Sequence, residues 1–243
     1  VVKFLTDTGS ASVKEVCYFT GVTTAVVTTL ERKGILEFFD NEVFRRPKFL
    51  HGANKENIVL TSEQSAAFKD ICGRFQSDKA ETSLLFGVTG SGKTKVYMRL
   101  IDEVLKTGKG CIVMVPEISL TPQLLSLFYN RYGEKVAVFH SALSMGERLD
   151  EWKRVKNGEA KIALGTRSAV FAPFDNLGLV IMDEEQEGTY KSEMSPRYHA
   201  KDVAAFRVGC HNGLLLLASA TPSLTTYAAA KSGIYSLNVL KNR

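Results

Sequence analysis

From Leu84 onward the chain alternates short apolar runs with stretches of helical periodicity. The runs are SLLFG (83–87), CIVMVP (111–116), KVAVFH (135–140), AKIALGT (160–166), LGLVIMD (177–183) and LLLLASA (214–220). Continuous rather than alternating apolarity marks strands buried on both faces, and a helix after each strand marks βα units. The pattern predicts an α/β domain with a parallel sheet and helices on both faces. Residues 1–46 read differently. Three amphipathic segments lie near 2–8, 13–19 and 23–33, followed by GILEFFDNEVFRR, which reads as a two-stranded ribbon turning at Asp40 and Asn41. Three helices and a hairpin predict a winged helix. In it TTAVVTTLERKG is the third helix, Gly34 its cap and residues 35–39 the start of the wing. Such a module either touches DNA or serves as a packing partner in a larger enzyme. Only Arg32 and Lys33 lie near the end of the third helix, so direct reading of base sequence is not expected. Arg45, Arg46 and Pro47 open a polar stretch that runs through HGANKEN, and composition changes after Leu60. The expected division is a winged-helix domain at 1–50, a linker at 51–60 and the α/β domain at 61–243.

Composition narrows the class without choosing within it. The chain has 243 residues, 44% hydrophobic and 23% charged, an ordinary globular balance. No run of about eighteen apolar residues exists and the start lacks the layout of a secretory signal, so no membrane partner and a cytoplasmic location are expected. The first residue is Val rather than Met, which leaves room for further parts of a longer chain. Cys17, Cys72, Cys111 and Cys210 form no CxxC pair, so no zinc site is expected in this segment. A net charge of +5 fits a polyanionic partner but does not require one.

The chemistry concentrates in two motifs. Gly87, Val88, Thr89, Gly90, Ser91, Gly92, Lys93 and Thr94 match GxxxxGK[ST] and lie between an apolar strand and the helical pattern KVYMRLIDEVLK. The glycines let backbone N–H groups converge on phosphate oxygens and the helix start adds positive potential. Lys93 reaches the terminal phosphates and the Thr94 hydroxyl ligates Mg²⁺. A chance glycine-rich turn would lack those flanks. The second motif, LVIMDEEQ, delivers Asp183 and Glu184 to the C-terminal end of a strand, where open parallel sheets place ligands. There Asp183 can hold the Mg²⁺ shell while Glu184 polarises the attacking water, as phosphoryl transfer to water requires. Without the upstream P-loop, an exposed acidic turn would be the simpler reading.

Upstream, Thr61 and Gln64 form a capping-box pattern. In helicases of superfamily two a Gln at this place reads the adenine edge, and both roles are compatible. The segments VPEISLTPQ (115–123), FHSALS (139–144), GTRSAVFAPF (165–174) and SATPS (219–223) each follow a predicted strand. Together with GVTGSGKT, DEEQ and EGTYKSEMSPRYHAKD (187–202) they closely resemble the PriA family of replication-restart DNA helicases, also called primosomal protein N′. The resemblance runs along essentially the whole chain, and GTRSAVFAPF and SPRYHAKD are its most specific parts.

The resemblance implies a winged helix followed by the first RecA-like lobe of an ATP- and Mg²⁺-dependent helicase. It implies action at stalled forks on single-stranded and forked DNA, with primosome and single-strand-binding proteins as partners of the full-length protein. It implies that Tyr190, Lys191, Arg197, Tyr198 and His199 meet single-stranded DNA, where aromatic faces stack on bases and cations hold phosphates. Thr166, Arg167 and Ser168 match the family's backbone-gripping segment. Ser219 and Thr221 match the coupling motif, and His140 either joins the site or is an idle strand-end residue. One departure is Gln186, where the family usually has His: Gln keeps hydrogen-bonding capacity but cannot become charged. The family places ATP between two lobes and draws transition-state arginines from the second, which does not follow here. Such arginines supply roughly 10³–10⁵ in turnover, so poor hydrolysis by this segment alone is expected. Two other readings stand beside this one. A winged-helix regulator with an NTP-sensing domain would prefer a particular duplex sequence. A small-acceptor kinase is disfavoured because nothing resembles a lid of arginines.

Overall fold

The structure, a computed structural model, describes residues 1–8, 11, 13–38 and 58–242. The chain divides into two compact units, Val1–Val43 and Phe44–Arg243.

The first unit holds α1 (Val2–Thr8), α2 (Val13–Thr20) and α3 (Thr24–Arg32), close to the three predicted segments. Among its described residues Val16 and Val27 are buried. Gly34 ends the third helix as expected. At φ +68° it adopts the left-handed turn that lets the Ile35 N–H reach the Leu30 carbonyl at 3.0 Å. Residues 35–38, the expected start of the wing, are bend and coil rather than strand, and the rest of the ribbon, with its turn at Asp40 and Asn41, and most of the 51–60 linker lie outside the described residues.

Among the described residues the second unit is built on a seven-stranded sheet in which every pairing is parallel, as the apolar runs predict. Its strands are β1 (Glu81–Gly87), β2 (Gly110–Met114), β3 (Val136–Phe139), β4 (Ile162–Gly165), β5 (Leu177–Asp183), β6 (Leu214–Ser219) and β7 (Ser236–Leu240), in the order β3-β4-β2-β5-β6-β1-β7. Alternate residues of each strand serve opposite faces, so an unbroken apolar run fills two cores. Cys111, Val113, Leu179, Ile181, Leu214 and Leu216 pack with α4 (Ser62–Gln76), α5 (Lys93–Lys106) and α6 (Pro122–Tyr132). Ile112, Met114, Val180, Met182, Leu215 and Leu217 pack with α7 (Met145–Lys156), α8 (Ala200–His211) and α9 (Leu224–Lys231). Full burial of each such side chain contributes roughly 1.5–3 kcal/mol before entropy is counted.

At the outer edge of the sheet α7 supplies side chains where another strand would supply backbone. Glu151 Oε2 accepts the Val138 N–H at 2.9 Å, and Arg154 donates to the Val136 carbonyl at 3.2 Å and to Glu151. Both side chains are buried and their charges cancel, which closes the β3 edge against further pairing. Among the described residues no helix is long and apolar enough to cross a membrane.

Candidate functional site

Parallel strands bring the loops after β1, β2, β4, β5 and β6 to one edge, the carboxyl end of the sheet, where ligands bind in open α/β folds. The loop after β1 is the GVTGSGKT segment. It turns tightly over the end of its own strand: a Cβ on Gly87 would stand 2.6 Å from Ser91 Oγ and 2.9 Å from Leu240 Cβ. The Ser91 hydroxyl is therefore packed inward. Gly92, at φ +83°, caps α5, and a Cβ there would meet Gln64 Nε2 at 2.3 Å. Thr89 and Gly90 are exposed at the loop's tip. Lys93 is 7% exposed and donates from Nζ to the Gly87 carbonyl at 2.7 Å, so its ammonium closes the loop on itself.

Gln64 does form the capping box, with Oε1 accepting the Thr61 N–H at 3.1 Å, and its Nε2 donates to the Ser91 carbonyl at 2.9 Å. Both ends of the amide are engaged and the side chain is buried, so it braces the P-loop here. Reading adenine would require exchanging those bonds.

Asp183 ends β5 beside this loop. Its Oδ2 accepts from the Tyr97 hydroxyl at 3.2 Å and its Oδ1 from the Glu184 N–H at 3.1 Å. Burial, and next the Glu184 charge, raise its carboxyl above the usual range, while Tyr97 and Lys93 pull the other way. Glu184 stands at φ +48°, a left-handed conformation uncommon for a residue with a side chain. Thr89, Gly90, Gly92, Lys93, Thr94, Asp183 and Glu184 line one cleft of about 640 Å³, flanked by Ile58, Val59, Met98, Leu127 and Arg131. A hydroxyl and a carboxylate beside a phosphate cradle suit a hard cation such as Mg²⁺, which takes few protein oxygens and completes its shell with phosphate and water.

From the acidic pair a hydrogen-bond relay crosses to the SATPS turn. Gln186 Nε2 donates to Glu184 Oε2 at 3.0 Å, Ser219 Oγ donates to Gln186 Oε1 at 2.6 Å, and the Thr221 N–H donates to Ser219 Oγ at 2.9 Å. Gln186 thus supplies both a donor and an acceptor, as its amide allows. Glu185, which the motif reading passed over, is buried and anchors the same turn. It accepts from the Ser223 N–H at 2.7 Å and from Thr226 Oγ1 at 3.0 Å, with Lys201 Nζ 3.9 Å away.

The predicted DNA-contacting residues gather around the loop after β5, with one correction. Tyr190 is 1% exposed, and its hydroxyl lies 2.6 Å from the Asp183 carbonyl and 3.0 Å from the Met114 carbonyl. Its ring fills the core beneath the sheet edge and offers no face to a base. Arg167 holds the loop from outside, donating to the Thr189 and Lys191 carbonyls on either side of Tyr190. Its guanidinium also lies over the Tyr198 ring, and Phe171, 51% exposed, packs edge-on against Tyr198 at 5.0 Å. Phe171 is a further aromatic of this face that motif reading did not single out. Ser168, Lys191 and Arg197 are exposed, and Thr166 is half-buried. His199 Nδ1 accepts the Lys201 N–H as the cap of α8, which commits one of its two ring nitrogens. His140 similarly accepts the Ala142 N–H, and burial lowers its pKa.

Comparison with known proteins agrees with this layout. Residues 61–229 match the DEAD/DEAH box helicase family. The chain is 49% identical over 230 residues to the replication restart protein PriA of Bacillus subtilis and 40% identical over 243 residues to that of Chlamydia muridarum. These alignments take in 94% and 99% of the chain but 29% and 32% of those relatives, so the chain spans about a third of the length of the proteins it matches. Among solved structures, RecG bound to a three-way DNA junction aligns over 76% of this chain and 24% of its own, with a TM-score of 0.57 and 26% identity. The Hef helicase domain of Pyrococcus furiosus aligns over 73% of this chain and 37% of its own, with a TM-score of 0.53 and 20% identity, a likeness of fold. The resemblance read from GTRSAVFAPF and SPRYHAKD therefore holds, and the chain belongs to the DEAD/DEAH box helicase family.

Proposed function

We propose that this chain is the ATP-binding lobe of a DNA helicase that acts in replication restart at stalled forks. Joined to a second lobe, it couples ATP hydrolysis to movement along single-stranded DNA. The observation that carries the reading is the Glu184–Gln186–Ser219–Thr221 relay. An enzyme that only transfers phosphate needs an acidic pair and a phosphate cradle. One that turns hydrolysis into motion also needs a physical link from that pair to another loop.

In this reading the backbone of Thr89 to Thr94 cradles the phosphates. Lys93 leaves the Gly87 carbonyl for the terminal phosphate, a stronger partner because the bond is charge-assisted at both ends. Thr94 and Asp183 would hold Mg²⁺, which would offset the charge of the phosphates. Glu184 orients the attacking water. Gln64 keeps the loop in register and adjoins the adenine. Thr166, Arg167 and Ser168 grip the DNA backbone, while Tyr198, Phe171, Arg197 and Lys191 form a stacking and cationic face, with His199 at its border. Single-stranded and forked DNA, and the primosome and single-strand-binding proteins of the longer chain, are the partners this implies. The N-terminal unit is assigned as a winged helix from its three helices and the left-handed cap at Gly34. The lobe alone hydrolyses ATP poorly, for want of the second lobe's arginines.

The test is ATP hydrolysis by the full-length protein with and without single-stranded DNA, beside a Lys93→Ala variant. Stimulation by DNA that is lost in the variant is expected. Hydrolysis that ignores DNA sinks the proposal.

A further inference from the structure

A side chain that would hold Mg²⁺ is itself held by a residue that lies outside the nucleotide cleft. Tyr97 is one helical turn beyond Lys93 on α5, so both project from the same face. It is 1% exposed, belongs to the core packed under β5 and is not among the residues that line the cleft. Its hydroxyl donates to Asp183 Oδ2 at 3.2 Å. A buried oxygen thus touches a proposed Mg²⁺ ligand from behind. The other oxygen of Asp183 takes the Glu184 N–H, so the carboxylate is fixed at both ends.

We propose that Tyr97 is a positioning residue that sets the Asp183 carboxylate in the orientation Mg²⁺-nucleotide requires. Packing alone does not account for the hydroxyl. A phenylalanine ring fills the same volume, whereas a buried hydroxyl is unfavourable unless it has a partner, and here the partner is the carboxylate at issue. Without the phenol, Asp183 keeps only its bond to the Glu184 N–H, so the cation must order it when it binds. The inference rests on the reading of this cleft as an Mg²⁺-nucleotide site.

The experiment compares wild type with Tyr97→Phe, which removes one atom, and measures binding of a fluorescent ADP analogue as Mg²⁺ is titrated and again in EDTA. Groups that orient metal ligands commonly contribute roughly 10–100-fold in metal affinity. The expected result is a half-saturating Mg²⁺ concentration raised about tenfold, with affinity in EDTA and the melting temperature unchanged. An unmoved Mg²⁺ midpoint overturns the proposal, because the phenol then does nothing for the ligand. An equal loss with and without Mg²⁺ also overturns it, because Tyr97 then supports the loop as a whole. If wild type itself shows no Mg²⁺-dependent nucleotide binding, the functional reading fails and takes this inference with it. If only the variant's midpoint stays put, that reading stands and the role of Tyr97 alone is refuted.

Discussion

Two stretches of the same sheet edge are built on opposite principles. Around β1 and β5 buried side chains are tied down by hydrogen bonds: Lys93 to the Gly87 carbonyl, Gln64 to the Ser91 carbonyl, Tyr97 to the Asp183 carboxylate. Around the 3₁₀ helix Arg167–Phe171 and residues 191–198 many side chains reach solvent, with Phe171 and Met194 51% and 79% exposed. The first arrangement suits a ligand of fixed geometry, since a preordered cradle loses little entropy when a triphosphate arrives. The second suits a partner with a repeating backbone and changing bases, which rewards stacking faces and mobile cations over shape. Rigidity and exposure divide between the two regions as their proposed ligands demand.

The largest effect expected from breaking this contrast is at Lys93. Lys93→Ala removes the charge-assisted contacts to phosphate and should weaken nucleotide binding by roughly 100-fold, since such bonds contribute about 1.5–3 kcal/mol each. Binding of labelled single-stranded DNA, read by fluorescence anisotropy, should not change. A parallel loss of DNA affinity would mean the two regions are one site.

Next in size is Gly92→Ala. The residue sits at φ +83° and its new Cβ would press on Gln64 Nε2, so the loop and its brace cannot both stay in place. A left-handed non-glycine residue costs about 1–2 kcal/mol, before the displaced Gln64 is counted. Thermal unfolding should show that loss, together with weaker nucleotide binding. On the exposed side Tyr198→Ala should lower DNA affinity by about 1–3 kcal/mol, the usual contribution of one stacked base. Nucleotide affinity and melting temperature should hold, because Tyr198 is only partly buried. A fall in stability as large as that of Gly92→Ala would place Tyr198 in the core and leave the stacking face to Phe171.

How legible each region is in the sequence follows from the same division. Residues whose task sets their spacing were readable. The apolar runs mark six of the seven strands, all but β7, GxxxxGK[ST] marks the cradle, and the capacity of Gln186 to donate and accept is what the relay uses. Residues whose task depends on a tertiary slot were not. Tyr190 lies in a polar loop of EGTYKSEMSPRYHAKD and reads like its neighbour Tyr198. Only the closeness of the Met114 and Asp183 carbonyls shows that one ring points in and the other out. Phe171 follows the buried Ala169 and Val170 and reads as more core until its exposure is known. Glu185, one letter of an acidic turn, is buried because Ser223 and Thr226 come to it from the start of α9, beyond another strand. Tyr97 sits on the apolar face of α5, where nothing in the pattern separates a packing ring from a working hydroxyl.

The smallest expected effect lies where the two regions meet. Gln186→His restores the residue usual in the PriA family and replaces an amide with an imidazole. Neutral imidazole has one donor and one acceptor nitrogen, enough to serve Glu184 and Ser219 together. Protonated imidazole has two donors and can no longer accept from Ser219. The relay of the variant should therefore be complete above the imidazole pKa and broken at Ser219 below it, whereas the Gln186 amide is indifferent to pH. A histidine begins near 6.5, and the adjacent Glu184 carboxylate raises it, so the change falls near neutrality. One neutral hydrogen bond contributes about 0.5–1.5 kcal/mol, so the ratio of DNA-stimulated to basal ATP hydrolysis should drop only a few-fold as pH falls through that range. Wild type, measured over the same pH values in the full-length protein, should keep a constant ratio. If both proteins follow one pH profile, the Ser219–Gln186 bond is not the path by which the exposed region influences the buried one, and Glu185 with its Lys201 and Thr226 partners becomes the route to test.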